Sequence, residues 1–564
     1  MEVHTPSPAL PALGRSGLLL LVLLVTLSAC LQLVGLNWGL GPAGYRNYHP
    51  DELPDNALKM LAAGSLRPQG YIYGSFHTYC ILLVAAPAVA LAEADPVKVE
   101  RAIYLTARLL GALMGVACVG LLFALVWLIT ANLAAAFIAA ASLVLAPLPV
   151  NLAHYATTDI PVVFWSLLAL VALARAPKTG RYDLLYWAAL AAGFASSIKL
   201  SAGLLLPLVL AAHFIGRPEG SPRWPARTGR RLAGLTFLFG LTYYAGTPYA
   251  LVEPAQWFAQ QVANSMRTRA GWDGFNWGAT YPLDFTLAYC FGPALLLSLI
   301  GIPAAFARKW RGAIFPTFAF GLLTWLLFAG THTFVNRYRL PVLPACALLA
   351  GFGYLALYQR APKFAWVLSA VLLAGSLTLS VTVDYCLVRE PRDAASAWLV
   401  RALDPGDLVE VTRYGPVLPE GQPTIESPYT GSLPPSPEWF RQLTLAYDKF
   451  RNIPEEISLV ELDKRQRENQ QRLDTWLAFA TPEALAARSP DWIVVSSLLT
   501  DRFFMDPDAF PTVTHYYQLL LDERLGYEVA TRFDLPPFPT WVGNHSGEFL
   551  ACKVTVLKRT IDNP

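Results

Sequence analysis

Three groups of residues in this sequence combine side-chain types that could do chemistry. Tyr48-His49-Pro50-Asp51-Glu52 places two adjacent carboxylates, with Asp55 close behind, just past the apolar run Gly17 to Gly35. Such a pair could supply a general base. The same residues also read as a solvated loop, or as a cap before Leu53-Pro54-Asp55. His154-Tyr155-Ala156-Thr157-Thr158-Asp159 lies at the end of another apolar run. Its imidazole and carboxylate could bind a divalent cation or hold an acceptor hydroxyl, and a helix-capping Thr-Thr-Asp is the alternative. Asn336-Arg337-Tyr338-Arg339 precedes Leu340-Pro341, and two arginines there call for an anionic partner such as a phosphate.

Further charges lie inside or beside apolar runs, where an unpaired ion is costly. Arg108 needs a partner within a helix bundle, and Lys199 falls near the end of a run. The segment Tyr249–Pro282 carries Arg267, Arg269, Trp272, Asp273, Trp277 and Tyr281. Aromatics beside arginines suit sugar rings and phosphates, although interface-anchoring Trp and Tyr would look the same.

The elements that must position these residues are membrane spans. A chain of 564 residues with 54% hydrophobic and 15% charged residues, and a mean hydropathy of +0.40, cannot bury its apolar side chains in one water-soluble core. Runs of close to the ~20 residues needed to cross a bilayer recur from Ser16 onward. The first is too long for a signal-peptide core and lacks a small-residue cleavage site, so it is expected to be retained. The net charge of +3 is too small over this length to argue for nucleic acid. Five of the cysteines sit in apolar runs, leaving Cys386 and Cys552 as the pair that could form an external disulfide.

Loop charges set the topology. Arg175, Lys178 and Arg181 lie in one loop, and Arg217, Arg223, Arg227, Arg230 and Arg231 in another. Arg308, Lys309 and Arg311 follow, then Arg360 and Lys363. Two spans separate each basic loop from the next, so all four share the cytoplasmic side. His154–Asp159 and everything from Asp384 onward then lie outside. Phe76 to Ala92, short and broken by Pro87, is expected to lie along the outer interface rather than span. That choice gives about eleven spans, a cytoplasmic N-terminus, and Tyr45–Glu52 on the same outer side as His154–Asp159.

From Asp384 the composition changes, and two domains are expected: a membrane domain over 1–383 and an extracytoplasmic α/β domain over 384–564. Pro391–Arg401 reads as a helix, Leu408–Thr412 and Asp491–Ser497 as strands, Tyr516–Leu525 as a helix, and Tyr527–Phe533 and Phe549–Leu557 as strands. Val460–Ala487 reads as a polar helical excursion on the surface.

In this order and with this topology, the motifs resemble the GT-C superfamily of polytopic glycosyltransferases, specifically the protein O-mannosyltransferase and aminoarabinose-transferase-like group. The carrying residues are Asp51-Glu52 after the first span, Tyr73-Gly74-Ser75 opening the interfacial helix, and Ala107-Arg108-Leu109-Leu110-Gly111. His154 to Asp159, Gly193 to Lys199, and Arg337-Tyr338-Arg339-Leu340-Pro341-Val342-Leu343-Pro344 complete the set. Phe76-His77 departs from that group, which has a proline pair there.

The resemblance implies transfer of a sugar from a polyprenyl- or dolichyl-phosphate donor to a lipid, glycan or protein acceptor, with inversion. Asp51 would be the base, and Arg337 and Arg339 would meet the phosphate, with Lys199 and Arg269 as further cations. Glu52 and Arg108 would shape the site, and His154 and Asp159 would line it. A divalent metal, if one binds, would be held by Asp51, His154 and Asp159. A prokaryotic plasma membrane is the expected location. A transporter or flippase for an anionic lipid or sugar, or a non-catalytic scaffold of the same build, are the competing readings.

Overall fold

Apolar segments in a bilayer become helices because hydrocarbon offers no partner for a free N–H or C=O. The computed structural model describes residues 13–40, 48–49, 51–92, 95–179, 181–215, 228–270, 285–307, 311–329, 336–428, 467, 471, 474–505, 507–508, 510–536, 550 and 552–560. Its helices begin with α1 (Arg15–Leu33), α2 (Pro54–Ala62), α3 (Phe76–Leu91), α4 (Pro96–Thr130), α5 (Leu133–Val144), α6 (Pro147–Ala153), α7 (Asp159–Thr179) and α8 (Asp183–Ile198). A 3-10 turn, Leu200–Leu204, leads to α9 (Leu205–Ile215). Then come α10 (Thr228–Gly246), α11 (Tyr249–Val252), α12 (Pro254–Ala270), α13 (Phe285–Phe291), α14 (Leu295–Ala305) and α15 (Arg311–Ala329). A second 3-10 segment, Asn336–Val342, precedes α16 (Leu343–Tyr358), α17 (Pro362–Val388) and α18 (Pro391–Ala402).

The chain is an integral membrane protein. Among the described residues, five helical segments are long and apolar enough to cross a bilayer, and α5 with α6 makes a sixth if that bent pair is one span. The 57° bend falls where Leu145-Ala146 meets Pro147, because a proline disfavours helical geometry in the residue before it. The shorter apolar helices, α3, α8 and α14 among them, hold 10–17 residues. At ~1.5 Å per residue these reach about 15–25 Å, less than a ~30 Å hydrocarbon slab.

Three expected segments differ in detail. Phe285–Ala307 is two helices, broken at Gly292-Pro293 with Gly292 at φ +77°. Tyr249–Pro282, expected as a loop, is helical over α11 and α12, and its residues 271–282 lie outside the described set. The run at Leu340 begins in the 3-10 segment, which holds Arg337 and Arg339 at the mouth of α16.

Close helix approach in the bundle is set by small residues. A Cβ on Gly301 of α14 would run into the Leu349 carbonyl of α16, and one on Gly353 into the Leu297 carbonyl.

Beyond α18 the elements are β1 (Val409–Val411), β2 (Thr424–Glu426), α19 (Pro482–Arg488), β3 (Trp492–Ser496), α20 (Ser497–Met505), α21 (Pro511–Leu521), β4 (Tyr527–Phe533) and β5 (Val554–Arg559). They form one mixed sheet in the order β2-β1-β3-β5-β4. β1 pairs in parallel with β2 and β3, and β5 runs antiparallel between β3 and β4. Every residue of β3 is buried, as a central strand covered on both faces requires. One face packs Val409, Val411, Trp492 and Val494 against Ala395 and Leu399 of α18. The other packs Ile493, Val495 and Leu557 against Phe503, Tyr516 and Tyr517.

Strand β2 was not foreseen. Part of the expected surface excursion is core: Trp476, Ala480 and Leu485 are buried in the second cluster, because their apolar faces have the sheet to cover. Cys386 and Cys552 are each buried as free thiols.

Candidate active site

The segment after α1 is anchored by a buried charge. Arg108 lies in α4 with its side chain fully inaccessible, as does Glu52. Glu52 Oε1 accepts from Arg108 Nε at 2.9 Å and from the Ala156 amide at 2.7 Å, and Glu52 Oε2 accepts from Arg108 Nη2 at 2.8 Å. Arg108 Nη1 also donates to the carbonyls of Leu36 (3.0 Å) and Trp38 (2.6 Å). The Leu53 amide donates to Ala156 O. One buried pair thus ties the segment between α1 and α2 to α4 and to the segment ahead of α7. Such a planar two-point contact is what guanidinium and carboxylate geometry favour.

Glu52 fixes the backbone beside Asp51, whose side chain remains one-third exposed. Asp51 Oδ2 accepts from Arg337 Nη2 at 2.6 Å, and the Asp51 amide donates to His49 Nδ1 at 3.3 Å. Burial raises the Asp51 pKa. The charges of Arg337 and Lys199 and the Arg337 hydrogen bond outweigh that, so the carboxyl lies below its ordinary value. The group is therefore ionised at neutral pH.

A second pair stands beside the first. Asp159 opens α7 and accepts from Lys199 Nζ at 2.8 Å. Lys199 also lies 4.9 Å from the centroid of the Tyr338 ring, between the two arginines of the 3-10 segment. Lys199 is presented by the end of α8, where the backbone turns extended. The loop ahead of α3 closes on that end: the Gly74 amide donates to Ile198 O at 3.1 Å, and a Cβ on Gly74 would run into the Ser197 carbonyl. Tyr73, next to Gly74, feels the charges of Arg337, Asp51 and Asp159, and burial is the main cause of its raised pKa. Arg337 and Arg339 are both buried.

The structure thus gathers Asp51, Asp159, Lys199 and Arg337 into one cluster, with Glu52 and Arg108 behind it. His154 stands apart in its bonding. Nδ1 is 2.7 Å from Val150 O and Nε2 is 2.7 Å from Val34 O, with Asp384 Oδ1 3.9 Å from Nε2. The side chains of Arg267 and Arg269, and residues 271–284 with Trp272, Asp273, Trp277 and Tyr281, lie outside the described residues.

Asp51, His154 and Asp159 do not fit a metal as arranged. Each carboxylate already faces a cation, and both imidazole nitrogens face main-chain oxygens. Among the described residues, no group of three or more His, Cys, Asp or Glu is placed to hold an ion.

Three residues far along the chain were missed: Glu390, Arg392 and Asp393, which meet Trp38 and Tyr48. Glu390-Pro391 reads as an ordinary helix start, and in the structure Glu390 does cap α18. The local signal therefore explains those residues without any distant partner.

Residues 99–244 match the family described as dolichyl-phosphate-mannose-protein mannosyltransferase. That stretch includes Arg108, His154, Asp159 and Lys199. Among solved structures, the chain is similar to ArnT of Cupriavidus metallidurans bound to undecaprenyl phosphate. The identity is 15% and the TM-score 0.50, covering 96% of this chain and 98% of that one. It is also similar to the oligosaccharyltransferase AglB of Archaeoglobus fulgidus in complex with an inhibitory peptide and a dolichol-phosphate. There the identity is 12% and the TM-score 0.47, over 89% of this chain and 72% of that one. No curated protein matches the chain significantly. The likeness to ArnT over nearly the whole of both chains assigns the GT-C fold.

Proposed function

We propose that this membrane protein of GT-C fold is an inverting glycosyltransferase, moving a sugar from a polyprenyl- or dolichyl-phosphate carrier to an acceptor on the outer face of the membrane. The observation that carries the reading is the cluster in which Asp51 and Asp159 each face a cation, Arg337 at 2.6 Å and Lys199 at 2.8 Å. An ionised carboxylate beside phosphate-binding groups is what displacement at an anomeric carbon needs. The binding of undecaprenyl phosphate by ArnT supports a polyprenyl-phosphate donor.

Asp51 takes the proton from the acceptor hydroxyl or amine as that atom bonds to C1 of the sugar. The C1–O bond to phosphate breaks, and its electron pair leaves with the phosphate. Negative charge grows on the phosphate oxygens, and Arg337, Arg339 and Lys199 stabilise it in a preorganised setting, with Arg269 as a further cation. Attack opposite the leaving group inverts the anomeric centre. Glu52 and Arg108 hold the loop that carries the base, and His154 and Asp159 line the cavity. Each step is assigned to these side chains without a metal.

Residues 1–383 form the membrane domain in this reading, with about eleven crossings and a cytoplasmic N-terminus. Residues 384–564 form an α/β domain on the outer side of a prokaryotic plasma membrane. The alternation of basic loops supports that arrangement. Transfer of radiolabelled sugar from polyprenyl-phosphate donors, in membranes holding wild type or Asp51→Asn, tests the function. Transfer by wild type and its loss in the variant at equal expression is the expected result. A broad donor panel without transfer by wild type would overturn the reading in favour of a carrier or scaffold.

A further inference from the structure

Past α17 the chain enters α18 through Glu390-Pro391-Arg392-Asp393, and this short turn is built into the segment that carries Asp51. Glu390 and Arg392 are buried and pair through Nε to Oε1 at 2.8 Å and Nη2 to Oε2 at 3.1 Å. Trp38 Nε1 donates to Glu390 Oε2 at 2.7 Å. The Arg392 guanidinium lies 4.0 Å from the Tyr48 ring centroid and 5.3 Å from that of Trp38. Tyr48 Oη donates to Asp393 Oδ1 at 2.8 Å. Trp38 and Tyr48 meet edge to face with centroids 5.4 Å apart, and Tyr155 packs on both Trp38 and His49. The remaining face of α18 is sealed to the sheet by Ala395 and Leu399.

We propose that the opening turn of α18 is a positioning element for Asp51, so that the sheet-bearing C-terminal region sets the geometry of the base as well as packing against it. This positioning role rests on Asp51 being the base. Asp51 is flanked on one side by Glu52, fixed from within the bundle by Arg108. On the other side are Tyr48 and His49, and the supports of Tyr48 come from Arg392 and Asp393. With the inner anchor alone, the loop would keep its attachment and lose its aim. A guanidinium stacked on two aromatic rings and locked by a buried carboxylate leaves the rings little rotational freedom.

Arg392→Met would strand Glu390 in the interior and could prevent folding, so the test uses smaller changes. Tyr48→Phe and Asp393→Ala each delete one hydrogen bond, and Asp393→Asn keeps an acceptor oxygen. Two readouts are taken in membranes: kcat and donor KM for sugar transfer, and the rate of carbodiimide-driven amine coupling at Asp51, followed by peptide mass spectrometry. A base displaced by about 1 Å can cost on the order of 10²-fold in rate, and a smaller shift proportionally less. Tyr48→Phe and Asp393→Ala are therefore expected to lower kcat by about tenfold, with donor KM unchanged, and to raise coupling at Asp51 several-fold. Asp393→Asn is expected to match wild type in both.

Unchanged coupling in Tyr48→Phe and Asp393→Ala would overturn the inference. So would activity that falls only in proportion to folded protein, since that marks a mere brace. If wild type transfers no sugar at all, the proposed function fails, and the coupling rates still decide whether this turn positions Asp51.

Discussion

Arg337 Nη2 lies 2.6 Å from Asp51 Oδ2, although 286 residues separate the two in the chain. In the proposed mechanism, base and phosphate-binding cation therefore neutralise each other before substrate arrives. Burial alone would raise the Asp51 carboxyl, yet Arg337 and Lys199 bring it below its ordinary value, so the acidic limb of kcat/KM should fall under the usual aspartate value of about 4. Arg337→Gln removes the largest lowering influence and leaves the burial, so the limb should move to higher pH. When the donor phosphate competes for Arg337, Asp51 regains basicity, and the limb in kcat should lie above that in kcat/KM. A pH–rate profile that stays put in Arg337→Gln would contradict this account.

The same pair separates chemistry from binding. Asp51→Asn keeps the shape and removes the proton acceptor, so kcat should drop by about 10²–10⁴. Donor KM should hold steady or fall, because Arg337 no longer has a carboxylate to share with the phosphate. Steady-state kinetics with varied lipid donor checks both halves, and a large rise in donor KM would assign Asp51 to donor binding instead.

The positions of these charges were legible in the sequence, and their pairing was not. Asp51, Arg108, Asp159, Lys199 and Arg337 stand out because charge beside or within apolar runs is costly and needs a reason. Which carboxylate meets which cation depends on how the helices pack, and each pair is non-local. The break ahead of Pro147 follows a local proline rule, whereas the attachment of Trp38 to Glu390 spans 352 residues. Glu390 already satisfies the local pattern of a helix cap, so nothing nearby in sequence asks for a tryptophan. The helical character of α12 was hidden for a similar reason: its Trp, Gln and Arg content reads as an external loop, and the partners that α12 meets, such as Tyr71 O for Gln261, are distant in sequence.

Arg108 and Glu52 present a buried ion pair with both side chains inaccessible. Removing one partner strands the other, so Arg108→Met should destabilise the protein by about 3–5 kcal/mol. The double variant Glu52→Gln/Arg108→Met removes both charges and should recover part of that loss. Thermal unfolding of the detergent-solubilised protein reads this directly. A single variant as stable as wild type would mean that Glu52 finds another cation or water.

Gly74 and Gly70 share one loop and should behave differently. At Gly74 a Cβ would strike the carbonyl of Ser197, and the Gly74 amide holds Ile198 O. Lys199 follows immediately and reaches Asp159 and the Tyr338 ring. Gly74→Ala must push the loop off the end of α8 or push that end away, and either shift moves the Lys199 ammonium from Asp159 and the proposed phosphate site. At Gly70 the added methyl meets only Gln260 Oε1 at 3.4 Å, an ordinary contact. Loss of one aimed, charge-assisted contact is worth about 1.5–3 kcal/mol, so Gly74→Ala should raise donor KM by roughly tenfold or more, and Gly70→Ala should leave it unchanged. Donor titrations of the two variants side by side check this, and equal KM values would remove the Gly74 contact from any role in placing Lys199.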